Sequence, residues 1–403
     1  MDAKVDAVHP AKLGLVLPGG GARGAYQVGA LKAIGELLVT NHNPFQVISG
    51  ASVGAITAAL LAANAERFKV GVKRLVKFWS DLHCEDVYST DFASISLRGA
   101  HWVVSLTPVA ALGIPNPRSL LDNSPLREML ERRINFNRID TAIRNDALRA
   151  VSVTASSYER SRAVTFYQGT PEIKPWKRSR REGQPTELSI DHIMASIALP
   201  FIFPAQKIGS EYFGDGSLRL TSPLSPAIHT GADKILVISS RDSRPDSEPA
   251  ERDIEYPSLG AVGGTMLDII FMDNVDADIE RARRIDHTLS LIPPEQQNKT
   301  PLRDIDIFTL EPSRDLRDIA REHAHAMPWT MRMLMRRLGL WGHDWRLPSF
   351  LMFEPEYCCA LIELGYADTM ARSEEVLEFF GSPHQRADRK DLETDTYRRS
   401  RSA

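Results

Sequence analysis

Apolar positions near the start of the chain follow two alternating periods. Residues Lys12 to Leu17 form a short, nearly continuous apolar run, the pattern of a strand covered on both faces, and the segment from Phe45 to Ser49 repeats it. Between them Val28, Leu31, Ile34 and Leu38 recur at helical spacing, and an alanine-rich stretch from Val53 to about Asn64 predicts a second helix. Such crossovers are right-handed and place their strands parallel, so residues 12 to 54 form one βαβ unit whose loops open at a common sheet edge. Further strands are expected at Ala150 to Ala155, Ala163 to Tyr167, Glu211 to Phe213 and Lys234 to Ser239. Arg241 to Pro257 is rich in Pro, Ser and charge and predicts a linker to a helical region, 258–380, that packs on the core. The end, 381–403, is polar and is expected to be disordered.

The loops of the βαβ unit carry the chemistry. Gly50-Ala51-Ser52-Val53-Gly54 lies where a strand runs into a helix, the setting of a nucleophile elbow. A turn that sharp exposes the serine hydroxyl and leaves room only for glycine at Gly50 and Gly54. The helix beginning at Val53 aims its amino end, with partial positive charge, at negative charge forming beside Ser52. Upstream, Pro18-Gly19-Gly20-Gly21-Ala22-Arg23-Gly24 links the first strand to its helix. Its unshielded backbone N–H groups suit a tetrahedral oxyanion. Arg23 has three readings: it adds to that positive potential, it braces the loop through a carboxylate, or it is a solvated first-turn residue.

Gly19, Gly21 and Gly24 also fit the Gly-x-Gly-x-x-Gly spacing of dinucleotide-binding loops. That reading needs an acid closing the second strand to hold a ribose, yet no Asp or Glu occurs between Glu36 and Glu66. A phosphate-binding P-loop fails too, since no Gly-Lys-Ser/Thr follows the glycines.

These motifs resemble the patatin-like phospholipase family of serine lipid acyl hydrolases. The family's Gly-Gly-Gly-x-Arg-Gly stands at Gly19 to Gly24, its Gly-x-Ser-x-Gly at Gly50 to Gly54, and its Ala-Ser-x-x-x-Pro at Ala195 to Pro200. Its Asp-Gly-Gly/Ala stands at Asp215-Gly216 and departs at Ser217, which is small enough to keep the turn. The resemblance implies an α/β fold, a patatin-like three-layer sandwich with a mainly parallel central sheet and a helical C-terminal extension. It implies a catalytic Ser52-Asp215 dyad, with Gly19, Gly20, Gly21, Arg23 and Gly24 around the oxyanion hole and no metal or organic cofactor. The implied substrate is a phospholipid or another long-chain acyl ester. The residues alone leave a conventional triad open, because Ser52, Asp215 and His229 occur in the Ser, Asp, His order of α/β-hydrolases. A non-catalytic lipid-binding protein of the same fold is a further reading, which the intact Ser52, Asp215 and glycine loop oppose.

Composition narrows the partners. The net charge of -3 argues against nucleic acid, whose binding calls for a basic excess. Three cysteines, Cys84 and the pair Cys358-Cys359, make neither a disulfide framework nor a zinc spacing, so a reducing cytoplasm is the expected location. The start, Met1 to Asp6, has no apolar signal region. An insertion within 88–118, apolar from Ser94 to Asn116, reads either as a lid over the crevice or as a packing segment. Lys174 to Gln184 reads as an exposed basic loop. Ile319 to Trp341 mixes Trp329, Met331 and Leu334 with Arg332, Arg336 and Arg337, which suits either a peripheral membrane helix or ordinary core packing. His323 and His325, two apart, diverge on a helix and make a poor metal pair.

Overall fold

The computed structural model describes residues 11–90, 118–241, 259–270, 274–297, 299–337, 339–341 and 345–381. The lid or packing segment of 94–116, nearly all of the linker and the C-terminal tail therefore lie outside the described residues.

The strands are β1 (Leu13–Leu17), β2 (Val47–Ala51), β3 (Ala150–Ser157), β4 (Arg162–Gly169), β5 (Trp176–Arg178), β6 (Arg181–Pro185), β7 (Gln206–Ile208), β8 (Glu211–Gly214), β9 (Lys234–Ile238) and β10 (Asp306–Leu310). They form one sheet in the order β10-β9-β1-β2-β3-β4-β6-β5, with β8 paired to β3 and β7 to β8. From β10 to β3 the sheet is parallel, with Leu15 opposite Ile48 and Gly50 opposite Val153. Strand β4 then turns antiparallel to β3.

Both faces of the parallel part are covered, which is why its strands read as continuous apolar runs. Leu13, Leu15, Leu17, Ile48, Leu236 and Ile238 face helices α1 (Ala25–Leu37), α2 (Val53–Ala62) and α3 (Phe68–Ser80) and the helix Pro355–Ala371. The alternate positions Val16, Val47, Ile235 and Val237 pack with Ala227, Val275 and Ile279 of the helices Ser225–Thr230 and Asn274–Ser290. The result is a three-layer sandwich around a mainly parallel sheet. Each fully buried side chain of this kind contributes about 1.5–3 kcal/mol.

The C-terminal residues dock directly behind the glycine loop. A Cβ at Gly29 of α1 would enter the carbonyl of Ile362, and one at Gly365 would enter the carbonyl of Tyr26. The two helices thus touch backbone to backbone, an approach only glycine permits.

Three expectations need correction. The region after the linker is not wholly helical, because Asp306–Leu310 pairs in parallel with β9 and extends the sheet. Five residues of mixed character, with only Phe308 and Leu310 buried, are too few for their period to mark a strand out. The basic segment Lys174 to Gln184 is not a free loop: β5 and β6 form a hairpin there, and Trp176 is buried and stacked between Tyr167 and His229. Finally, Ile319 to Trp341 is not one helix, and of its two readings core packing is the one its contacts match. It breaks into Leu316–Glu322 and Trp329–Arg337, and Ile319, Met331 and Met335 enter the core. No described helix is long and apolar enough to cross a membrane.

Candidate active site

Strand β2 ends at Ala51, and α2 starts at Val53, leaving one residue for the turn. Ser52 takes φ 53° and ψ -131°, a backbone state that a side-chain-bearing residue holds only under constraint. The constraints are visible on both sides. A Cβ at Gly50 would strike the Gly54 carbonyl, and one at Gly54 would strike the carbonyl of Leu17 at the end of β1. The elbow is therefore pressed against the neighbouring strand, and backbone atoms cannot move aside as a flexible side chain would.

A third contact fixes the turn from β3. The Ser52 N–H donates to Ser196 Oγ at 2.9 Å, and that hydroxyl donates to the Thr154 carbonyl at 2.6 Å. Ser196 closes the helix Ile190–Ser196, which ends beside this strand edge. Two residues further on, the Ala198 carbonyl accepts the Asp215 N–H at 2.8 Å. The segment from Ser196 to Ala198 thereby ties the serine's turn to the aspartate's.

Asp215 follows β8 and is fully buried. Its Oδ1 accepts the Ser217 N–H at 2.8 Å, so the serine at that position keeps the backbone donor the turn needs. Burial lifts the carboxyl to a pKa of about 7, against the pull of the Ser52 hydroxyl and of Ser217. Oδ2 has no partner of full hydrogen-bond geometry, although the Ser52 hydroxyl is near enough to favour the charged form. Such contacts tighten in a complex with substrate. A carboxylate near neutrality is matched to general base chemistry.

Ser52, Asp215 and Gly21 open into the same cavity. The other walls are apolar: Val53 and Ile56 of α2, Phe78 and Trp79 at the end of α3 with Leu82 just beyond it, Leu199 and Phe203, and Phe350, Leu351 and Phe353 from the C-terminal region. The last three come from some three hundred residues downstream of Ser52, and nothing in the sequence pattern assigns them to the site.

The glycine loop is held from behind. Gln27 Nε2 donates to the Pro18 carbonyl at 2.9 Å, and Ser240 Oγ donates to the Gly19 carbonyl at 3.1 Å. The Gly20 carbonyl accepts the Arg23 N–H at 3.2 Å. Gly21 has φ 56° and lies so close to the Phe350 carbonyl that a Cβ would overlap it. Gly24 is pressed against Val53 and Trp79.

Arg23 is buried rather than solvated. Its Nε donates to Ser349 Oγ at 2.9 Å, its guanidinium lies 4.0 Å over the Phe350 ring, and Nη1 is 3.6 Å from Asp268 Oδ1. Of the three roles open in the sequence, bracing through a carboxylate is the one these contacts match. His229 does not join Ser52. Its Nδ1 lies 2.8 Å from the Ser225 carbonyl within its own helix, its ring stacks 4.8 Å from that of Trp176, and burial lowers its pKa.

The sequence profile of the patatin-like phospholipase family matches residues 15–228, more than half of the chain. A cGAMP-activated phospholipase of Escherichia coli is 27% identical over 259 residues, and the alignment covers 62% of this chain and 62% of that relative. The chain thus spans under two thirds of that relative's length. The lysophospholipase nte1 of Aspergillus terreus is 48% identical over 54 residues, 13% of this chain and 3% of its own. Among solved structures, human GIVD cytosolic phospholipase A2 aligns with a TM-score of 0.42 at 13% identity, covering 94% of this chain and 61% of that one. The family match takes in the glycine loop, the serine elbow and the buried aspartate together, and the chain belongs to the patatin-like phospholipase family.

Proposed function

We propose that this protein is a serine lipid acyl hydrolase of the phospholipase A or lysophospholipase type, working through a Ser52-Asp215 dyad. The observation that carries this reading is the convergence of the strained Ser52 and the buried Asp215, with its pKa of about 7, on one otherwise apolar cavity. Asp215 takes the proton from Ser52 as its Oγ attacks the acyl carbonyl. The Gly19 to Gly21 backbone and the amino end of α2 stabilise the oxyanion, and one such donor is worth about 3 kcal/mol. The alkoxide or lyso-lipid leaves with the proton from Asp215. Water, activated by the same carboxylate, then releases the fatty acid from the acyl-serine. The apolar walls hold the acyl chain, each buried methylene adding about 0.8 kcal/mol.

The same base serving both half-reactions leaves no task for a histidine, and the contacts of His229 with Ser225 and Trp176 support that assignment. The test is release of free fatty acid from diacyl and lyso-phospholipids by the purified protein, with Ser52→Ala as the blank. Release by the wild type alone supports the reading. Equal release by Ser52→Ala would overturn it.

A further inference from the structure

One helix beside the site turns an uncharged apolar face outward. Val262 and Met266 of the helix Leu259–Asp268, with Ile269 directly after it, recur at the i, i+4, i+7 spacing of one helix face, and they are 41%, 58% and 52% exposed. A surface helix ordinarily turns such a stripe toward the core. The inward side of this one is built differently. Gly264 is buried, a Cβ there would lie 3.0 Å from Arg346 Cβ, and Asp268, one turn on, pairs with Arg346 and with Arg23. Asp268 is the only charged residue between Leu259 and Ile269, so the outer stripe carries no charge.

The inward contacts place the stripe. The helix Arg346–Leu351 packs on Leu259–Asp268 and lines the acyl cavity with Phe350 and Leu351. Asp268 Oδ1 lies 3.6 Å from Nη1 of Arg23, which belongs to the glycine loop. The apolar face therefore stands one helix away from the cavity and one ion pair away from the loop. A stripe of this kind marks a surface that meets another apolar body. A second copy of the chain fits it poorly, because three half-exposed side chains on one helix fall well short of the roughly 800 Å² per partner that a stable dimer buries. A lipid surface asks for no such area, since each apolar side chain that enters it leaves water by itself. The absence of charge on the stripe, beside a cavity walled for an acyl chain, matches hydrocarbon better than a polar partner.

We propose that the face of Val262, Met266 and Ile269 is the surface on which the protein settles on aggregated lipid, through an uncharged contact with its hydrocarbon. This rests on the lipid acyl hydrolase reading and adds where the substrate surface is met. The segment Trp329–Arg337 is the sequence's candidate for that contact, and its buried Met331 and Met335 turn it toward the core. The helix Leu259–Asp268 instead gives its polar anchor, Asp268, to the protein and its apolar stripe to the outside. Lipid held on that stripe lies next to the elements that form the cavity and brace the glycine loop.

The experiment uses the full chain carrying Ser52→Ala, so that binding is read without turnover, and vesicles of phosphatidylcholine alone. Adding Val262→Gln, Met266→Gln and Ile269→Gln together should weaken vesicle binding about tenfold or more, and binding without the glutamines should not weaken at high salt. Should that variant melt early, Met266→Gln alone carries the test, with a loss of about threefold or more. In the protein that keeps Ser52, the glutamine variant should leave turnover of a soluble short-chain ester within about twofold while lowering turnover on vesicles. Met266→Trp should keep vesicle binding and add a fluorescence component that brominated lipids quench. The proposal is overturned by unchanged vesicle affinity in the glutamine variants, by no added quenching in Met266→Trp, or by no vesicle binding at all. A wild-type dimer that the glutamines dissociate would overturn it too, because a second copy would then cover the face. If the wild type hydrolyses no ester yet the glutamine variant still loses vesicle binding, the docking surface stands and the hydrolase reading falls.

Discussion

Ser196 Oγ accepts the backbone N–H of Ser52 at 2.9 Å and donates its own O–H to the Thr154 carbonyl on the neighbouring strand. The strained turn of Ser52, the proposed nucleophile, is thereby tied to β3 through one buried hydroxyl. Ser196→Ala leaves both the Ser52 N–H and the Thr154 carbonyl without that partner, a loss of about 1–3 kcal/mol in a buried setting. Because Ser196 acts through Ser52, kcat should fall ten- to a hundredfold with KM nearly constant. Steady-state kinetics and a thermal melt check this; a melt shift with unaltered kcat would make Ser196 structural only.

A fluorophosphonate probe should label Ser52, and both Ser52→Ala and Asp215→Asn should abolish labelling within the normal reaction time. Nucleophile and base act as a unit, so either loss removes nearly all turnover, and the double variant should be no worse than the single ones. His229→Ala should label like wild type. Full labelling of Asp215→Asn would end the dyad reading, and silence in a folded His229→Ala would restore the triad.

The pH behaviour follows from the burial of Asp215. The base works only when ionised, so kcat/KM should rise with pH and level off above about 7. Stability must move the opposite way. The native carboxyl holds its proton up to about 7, whereas the unfolded one releases it near 3.8. Its contribution is therefore full below 3.8 and is lost as pH rises through about 7. At 1.36 kcal/mol per pH unit, the span from 3.8 to about 7 comes to on the order of 4 kcal/mol. Asp215→Asn should accordingly be more stable than wild type at pH 8, with the gap closing toward pH 4. Denaturant melts at both pH values read the difference, and a gap independent of pH would refute the buried, shifted carboxyl.

The pattern of apolar positions sufficed for the βαβ unit because β1, α1 and β2 are near-neighbours in sequence, both strands are wholly buried and α1 is buried along most of its length, so period and environment agree. The elbow was legible because Gly50, Ser52 and Gly54 fall within five residues and Gly50 is crowded by Gly54 itself, although the press of Gly54 against Leu17 comes from the neighbouring strand. What escaped the sequence is non-local. Phe350 and Phe353 are ordinary apolar residues until the helix Pro355–Ala371 docks on α1 and carries them to the cavity. Ser196 stood in a recognised motif, yet its task depends on Thr154 and Ser52 arriving from two other strands. Trp176 sits amid Lys177, Arg178, Arg180 and Arg181, and that charge hid a strand that exposes its basic side chains and buries its indole.

The two functional readings of Arg23, a source of positive potential or a brace, predict different variants. As a brace, the planar guanidinium does three things at once: it bonds Ser349 through Nε, lies over Phe350 and faces Asp268. Burial disfavours its charge, and Asp268 offsets part of that cost. An ammonium group cannot reproduce the flat stack or the fixed direction of the Nε bond, so Arg23→Lys keeps the charge and loses the brace. Arg23→Met keeps most of the volume and loses the charge. Asp268 retains Arg346, with Oδ2 2.5 Å from its Nε, so removing Arg23 does not strand a lone carboxylate. If bracing is the function, both variants should fall in kcat together, by about tenfold or more, as the Gly19 to Gly21 donors shift. If positive potential were the function, Arg23→Lys would stay within a few-fold of wild type and only Arg23→Met would fail. Transition-state affinity for a trifluoromethyl ketone, measured beside KM for the ester, separates the two, because a displaced oxyanion loop weakens the ketone adduct far more than the substrate.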